Sequence, residues 1–285
     1  MHCNHCYSTL ALSSVFFPFA HAWGTLGHAT VATIAENYLT SGAKTYVNGI
    51  LGNGVSMASV ASWADEYRYT TAGRFSAPYH FIDAEDNPPT SCSVSQSRDC
   101  GTGGCIVSAI ANYTQRVQDG RLSAEHTKEA MEFLIHFLGD ITQPLHDEAE
   151  KVGGNDIAVT WDGEDTNLHA CWDTQMVEKS AGGENSTSTL SSFGNKLITA
   201  IDTGIYSSQK DSWVSCTDIT NAAGCALEWA QDANAINCAY VLKMDETGQE
   251  LDGAYYTGAQ PYIEQQIAKG GYRLAAWVNE LAAAA

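Results

Sequence analysis

An all-α fold, one mostly helical domain carrying a single small β-hairpin, is what the sequence predicts, on three observations. Apolar residues recur at helical spacing through most of the chain. Asp162-Gly163 sits between short alternating runs, the strongest hairpin signal present. No internal repeat, low-complexity tract or linker divides the 285 residues, so one domain is the economical reading.

The first 22 residues read as a secretory signal. Their apolar run LALSSVFFPFA leads into AHA, a small-x-small site that places cleavage before Trp23 and leaves residues 23–285 as the mature chain. No later apolar run is long enough to cross a bilayer, so a soluble, secreted product is expected. Helical periodicity predicts helices over WGTLGHATVATIAENYL (23–39), VSMASVASWADEYR (55–68), CIVSAIANYTQRVQ (105–118) and SAEHTKEAMEFLIHFLGDI (123–141). Ser123 is the N-cap candidate of the last, with Glu125 and Glu129 early in the helix where its dipole favours negative charge. That helix should end near Thr142, because Gln143 precedes Pro144 and is biased away from the helical region. The segment NDIAVTWDGE supplies the hairpin, and further helices are expected at 166–180, 187–203, 222–244 and 259–282. In the last, Gly270-Gly271 marks either a kink or a close helix contact.

Fourteen Lys and Arg against 33 Asp and Glu give a formal charge of −19. That excludes binding nucleic acid through a broad basic face. It leaves open an enzyme acting on nucleotides, since a bound dication supplies positive charge locally. Beyond the signal stand seven cysteines: Cys92, Cys100, Cys105, Cys171, Cys216, Cys225 and Cys238. In an exported chain they suggest disulfides. Local spacing favours Cys100–Cys105 and Cys216–Cys225, and the odd count leaves at least one thiol free. Asn112-Tyr-Thr and Asn185-Ser-Thr are glycosylation acceptor patterns.

The chemistry concentrates between His136 and Asp173, HFLGDITQPLHDEAEKVGGNDIAVTWDGEDTNLHACWD. His136 and Asp140 are four apart, as are His169 and Asp173, so each pair shares a helix face and can aim imidazole and carboxylate at one point. His146 lies between the pairs, just past the end of its helix. Imidazole and carboxylate are a ligand set that suits zinc. Singly, each pair has a plain reading as a half-buried histidine near a solvated acid; two pairs and a third histidine in one short stretch favour metal. His28 and His80 lie in aromatic or glycine-rich settings, His80 near Asp83, whereas His126 reads as a surface residue.

These stretches, with WGTLGH, ASWADEYR, YHFIDAEDNPP, RDCGTGGC and IAKGGYRLAAW, resemble the secreted, single-strand-specific zinc nucleases of fungi and plants. That family shares its helical fold with bacterial zinc phospholipase C. The similarity spans nearly all of residues 23–285 and lies nearest the fungal members. It implies three zinc ions. One would be held by Asp65, His80, His136 and Asp140; a second by the amino group and carbonyl of Trp23, by His28 and by a shared Asp140. The third would take His146, His169 and Asp173. A free α-amine titrates near ~8, so zinc can displace its proton. Arg68 and Asn155 match positions that contact phosphate, Phe81 and Val152 the walls of a base slot, and Asp83 a base-edge acceptor. The resemblance pairs Cys92 with Cys238 and Cys100 with Cys105. Cys171 is then expected to be free and buried.

The implied reaction hydrolyses single-stranded DNA, RNA and 3′-nucleotides to 5′-phosphorylated or dephosphorylated products. Water at the zinc pair attacks phosphorus, and the third zinc stabilises the departing 3′ oxygen. No membrane and no obligate protein partner is expected, and the protein should be monomeric. Glu164 stands where some family members carry an aromatic residue, which leaves a second nucleotide site open. The rival readings are a zinc phospholipase C-type phosphodiesterase and a secreted zinc-binding protein without catalysis.

Overall fold

The computed structural model describes residues 23–285, so the signal reading of residues 1–22 lies outside them. In chain order the α-helices are α1 (Gly24–Tyr38), α2 (Ser41–Leu51), α3 (Met57–Val60), α4 (Trp63–Tyr67), α5 (Gln96–Asp99), α6 (Ile106–Val117) and α7 (Ala124–Asp140). After a hairpin of β1 (Ala158–Trp161) and β2 (Glu164–Asn167) come α8 (Leu168–Ala170), α9 (Met176–Ala181), α10 (Thr187–Asp202), α11 (Lys210–Trp213), α12 (Ala222–Ile236) and α13 (Ala254–Ala284). The fold is all-α with one small antiparallel sheet, as the periodicity predicts.

Helix α1 is the axis of the core. It packs along α13 and also touches α7 and α10. The Gly270-Gly271 pair is a contact and not a kink: α13 runs unbroken, and a Cβ on Gly271 would fall 2.5 Å from Ile34 Cβ on α1. Trp23, Phe133, Phe137, Trp172 and Trp277 are fully buried around these helices. Burying one such ring stabilises the fold by about 1.5–3 kcal/mol, which holds α1 and α7 in the register the site requires.

Local chemistry explains most boundaries. Ser123 Oγ accepts from His126 N and caps α7; Pro144, behind an extended Gln143, prevents its continuation. Asp162 and Gly163 both adopt positive φ (54° and 78°), as a tight hairpin turn requires. Glu250 fastens that turn, accepting from Asp162 N (3.1 Å) and Gly163 N (2.9 Å). The loop 84–105 is stapled by Cys92–Cys238 and Cys100–Cys105; Cys216–Cys225 also forms, and Cys171 is a buried free thiol.

Other expectations need correction. The stretch 55–68 is two short helices, α3 and α4, because the chain turns at Ala61, whose carbonyl accepts from a histidine ring instead of continuing a helix. The expected 222–244 helix ends at Ile236 and continues as a π turn over Asn237–Val241. The last helix begins earlier, at Ala254, despite Pro261. Helix α2, capped by Thr40, and a 3-10 turn at Arg74–His80 are additional elements beyond those read from the sequence.

Candidate active site

The last turn of α7 presents His136 and Asp140 side by side, with Nε2 to Oδ2 3.1 Å. Asp140 then meets two more imidazoles: His28 of α1 (Nε2 to Oδ1, 3.0 Å) and His80 at the end of the 3-10 turn (Nδ1 to Oδ2, 3.0 Å). Asp65 of α4 closes the group, its Oδ1 3.5 Å from His136 Nε2 and 3.7 Å from His80 Nδ1. All five side chains are buried. Gly139 permits the crowding, since a Cβ there would lie 2.8 Å from His28 Nδ1.

A second group lies on the far side of His80. His146 Nδ1 donates to the His80 carbonyl (2.7 Å), so one residue serves both groups. His169 Nδ1 donates to the Gly153 carbonyl (2.5 Å). A ring nitrogen against a carbonyl carries the proton, so in each neutral ring Nε2 is the lone pair. Those two Nε2 atoms face each other at 3.2 Å, with Asp173 Oδ2 3.2 Å from His169 Nε2. His136 repeats the pattern: its Nδ1 donates to the Ala61 carbonyl (2.7 Å), leaving Nε2 3.1 Å from His80 Nδ1. Asp173 is oriented from behind, its Oδ1 accepting from Gln143 Nε2 at 2.7 Å, while Oδ2 has no hydrogen-bond partner. His169 sits on α8 and Asp173 within the π turn (Cys171–Gln175) that joins α8 to α9, a distortion frequent at functional sites.

Buried lone pairs and carboxylates facing one another repel unless a cation lies among them. Burial disfavours charge on His136, yet Asp140 and Asp65 outweigh it and raise that imidazole to about 10. Burial takes His80 down to about 4 and also lowers His28 and His146. Burial alone would raise Asp140, but His136, His28 and His80 hold it well below the usual carboxylate range. Three sets of ligand atoms converge to within 4.8 Å: His28, His136 and Asp140; Asp65, His80 and His136; His146, His169 and Asp173. A fourth set, Asp86, Cys92 and Glu148, has its sulfur tied up in a disulfide. Trp23 stands immediately ahead of α1, five residues before His28, with its indole N–H on Thr142 Oγ1 (2.9 Å).

The second group opens onto a cleft of about 550 Å³ through His146 and His169. Arg68, Phe81, Asp83, Val152 and Asn155, all singled out from sequence, line it together with His146 and His169. Arg68 reaches within 3.8 Å of Asp65. One wall is the segment Lys151–Gly154, four successive residues at positive φ (52°, 57°, 58° and 77°). Two of them are not glycine, a strain that clusters at functional sites. It turns the Gly153 carbonyl toward His169 and leaves Val152 64% exposed to the cleft. The Asn155 amide donates to the Val152 carbonyl (2.9 Å), bracing that wall. Sequence reasoning missed Tyr69, Arg74, Leu145 and Glu148, which also line the cleft. Glu148, pushed by burial to about 7, is the one its acidic neighbours could have flagged.

Residues 23–283 match the S1/P1 nuclease family. The chain belongs to that family. Nuclease P1 of Penicillium citrinum is 52% identical over 265 residues, covering 91% of this chain and 97% of its own length. Nuclease S1 of Aspergillus oryzae is 47% identical over 282 residues, 96% of each. Endonuclease 3 of Arabidopsis thaliana is 32% identical, covering 92% of this chain and 90% of its own. A solved Clostridium perfringens alpha-toxin covers 94% of this chain and 65% of its own at 12% identity with a TM-score of 0.44, too distant to carry an argument.

Proposed function

We propose that this S1/P1 family member is a secreted, zinc-dependent endonuclease. It hydrolyses single-stranded DNA and RNA to 5′-phosphorylated nucleotides and removes the phosphate of 3′-nucleotides, with residues 23–285 as its catalytic domain. The observation that carries the reading is the pair of facing Nε2 lone pairs of His146 and His169 beside Asp173, next to a second such cluster around Asp140. Among the described residues no helix is long and apolar enough to cross a membrane; three disulfides support export, and we take the protein to act as a monomer.

The donor set fits three zinc ions. Asp65, His80, His136 and Asp140 would hold one, and His28, a shared Asp140 and the amine and carbonyl of a mature Trp23 another. His146, His169 and Asp173 would hold the third, with a position left open toward the cleft as catalytic sites keep. Bound zinc supplies Lewis-acid charge at phosphate and acidifies water. The chain's own groups do the rest. Arg68 places a guanidinium against the non-bridging phosphate oxygens, for which its planar fork is suited. Asn155 adds an amide donor, and Phe81 and Val152 clasp a base while Asp83 accepts from its edge. Stacking accepts any base, so sequence preference is weak. A paired base cannot enter without leaving its stack, which selects single strands without a basic groove.

Purified protein should cleave denatured DNA much faster than the same DNA as duplex, and should spare phosphatidylcholine. Comparable turnover of phosphatidylcholine would instead favour the phospholipase C reading, and zinc bound without turnover of either would favour a binding protein.

A further inference from the structure

Two cations line the cleft, Arg68 and Arg74, and they are held differently. Arg68 is mostly buried, 3.8 Å from Asp65, with its guanidinium over the Tyr69 ring at 5.1 Å, so it is committed to the cluster around Asp65. Arg74 is exposed at the start of the 3-10 turn and forms no ion pair with another described residue. Lys44, Arg116, Lys210 and Lys243 also form none with described residues, but of these five Arg74 alone lines the cleft. Arg121, Lys128, Lys151, Lys179 and Lys196 each have a carboxylate within 4.0 Å, as expected where acids outnumber bases 33 to 14. Here a positive charge is kept unneutralised at the rim of a cleft whose other rim groups include Asp83 and Glu148.

Arg68 is held against the buried Asp65 and Arg74 stands exposed at the rim, so the two guanidinium groups suit different phosphates. On the nuclease reading above, we infer that Arg74 forms a second phosphate subsite, engaging the backbone of a polynucleotide at least one nucleotide away from the bond being cut. A 3′-mononucleotide has a single phosphate and cannot occupy both positions. Arg74 thus favours polymers over mononucleotides, contributing charge where the overall potential repels them.

The test compares kcat/KM for an oligodeoxythymidylate and for a 3′-mononucleotide across a series of NaCl concentrations, using zinc-loaded protein. For Arg74→Ala the polymer-to-mononucleotide ratio should fall about 3- to 10-fold, as for loss of one exposed charge-assisted contact. The log–log salt slope for the polymer should flatten by about 0.7, the value for one phosphate contact on a single strand. Arg74→Glu should lower the ratio further. Lys243→Ala, which removes the same charge from a residue outside the cleft lining, should not lower it. A ratio and slope no different from those of Lys243→Ala would overturn the subsite. So would parallel losses on both substrates, which would put Arg74 on the reacting phosphate. If the wild-type protein hydrolyses both substrates, the nuclease reading stands however the ratio moves; if it hydrolyses neither, that reading fails first.

Discussion

Replacing Asp140 with Ala probes the centre of the site, because three imidazoles from three segments meet its carboxylate at 3.0, 3.0 and 3.1 Å. A full charge at about 3 Å from a cation is worth on the order of 5 kcal/mol at an effective dielectric of ~20. Losing even most of that from one ion weakens its binding by about three orders of magnitude. Shared between two ions, the loss applies twice. Asp140→Ala should therefore retain one zinc of three by elemental analysis, and its rate on single-stranded DNA should fall at least about 1000-fold, roughly 4 kcal/mol in the barrier. Asp65→Ala should retain two zincs and more activity, because Asp65 stands farther from the imidazoles it approaches, 3.7 Å from His80 and 3.5 Å from His136. Circular dichroism would confirm that both variants fold. Equal zinc counts and equal rates in the two variants would refute the shared role of Asp140.

Further expectations concern the supports of the site. An extra residue ahead of Trp23 converts its amine to an amide, and the protein should then bind two zincs; three tightly bound ions would exclude the amine as a ligand. Gln143→Ala removes the hydrogen bond that orients Asp173, so zinc affinity at one site, read by chelator competition, should fall about 10- to 100-fold; a change under about twofold would remove Gln143 from the account. Asp99 accepts from Arg98, Ser95 N and Glu85 N. Burial opposes its charge, but these donors prevail and hold its carboxyl below 3.8. A depressed folded pKa gives stability that is present above about 3.8 and lost as pH falls through the lower folded value. Asp99→Asn should thus lower stability by about 1–3 kcal/mol at pH 6, and the gap should close toward pH 2; a gap independent of pH would contradict the pairing.

What could be read from the sequence, and what could not, follows from how each feature is encoded. His136 with Asp140 and His169 with Asp173 were legible because four-residue spacing places side chains on one helical face. The Asp162-Gly163 turn and the Ser123 cap were legible because their residue types solve local backbone problems. The carbonyls of Ala61, His80 and Gly153, which fix the tautomers of three imidazoles, have no side-chain signature at all. Convergence of His28, Asp65 and His80 on Asp140 depends on tertiary packing across 60 or more residues, and only the family resemblance supplied it. Cys92–Cys238 closes 146 residues and was likewise open to resemblance alone, whereas Cys216–Cys225, nine apart, could be argued from spacing. Arg74 escaped notice because a lone arginine in a turn means little until its missing partner and its place on the cleft rim are seen together.

The most direct test of the central claim is hydrolysis of single-stranded DNA by purified protein before chelation, after removal of metal, and after stepwise return of zinc. Activity should vanish with the chelator and recover in proportion to zinc bound, reaching its plateau near three ions per chain. Undiminished cleavage by demonstrably metal-free protein would contradict it.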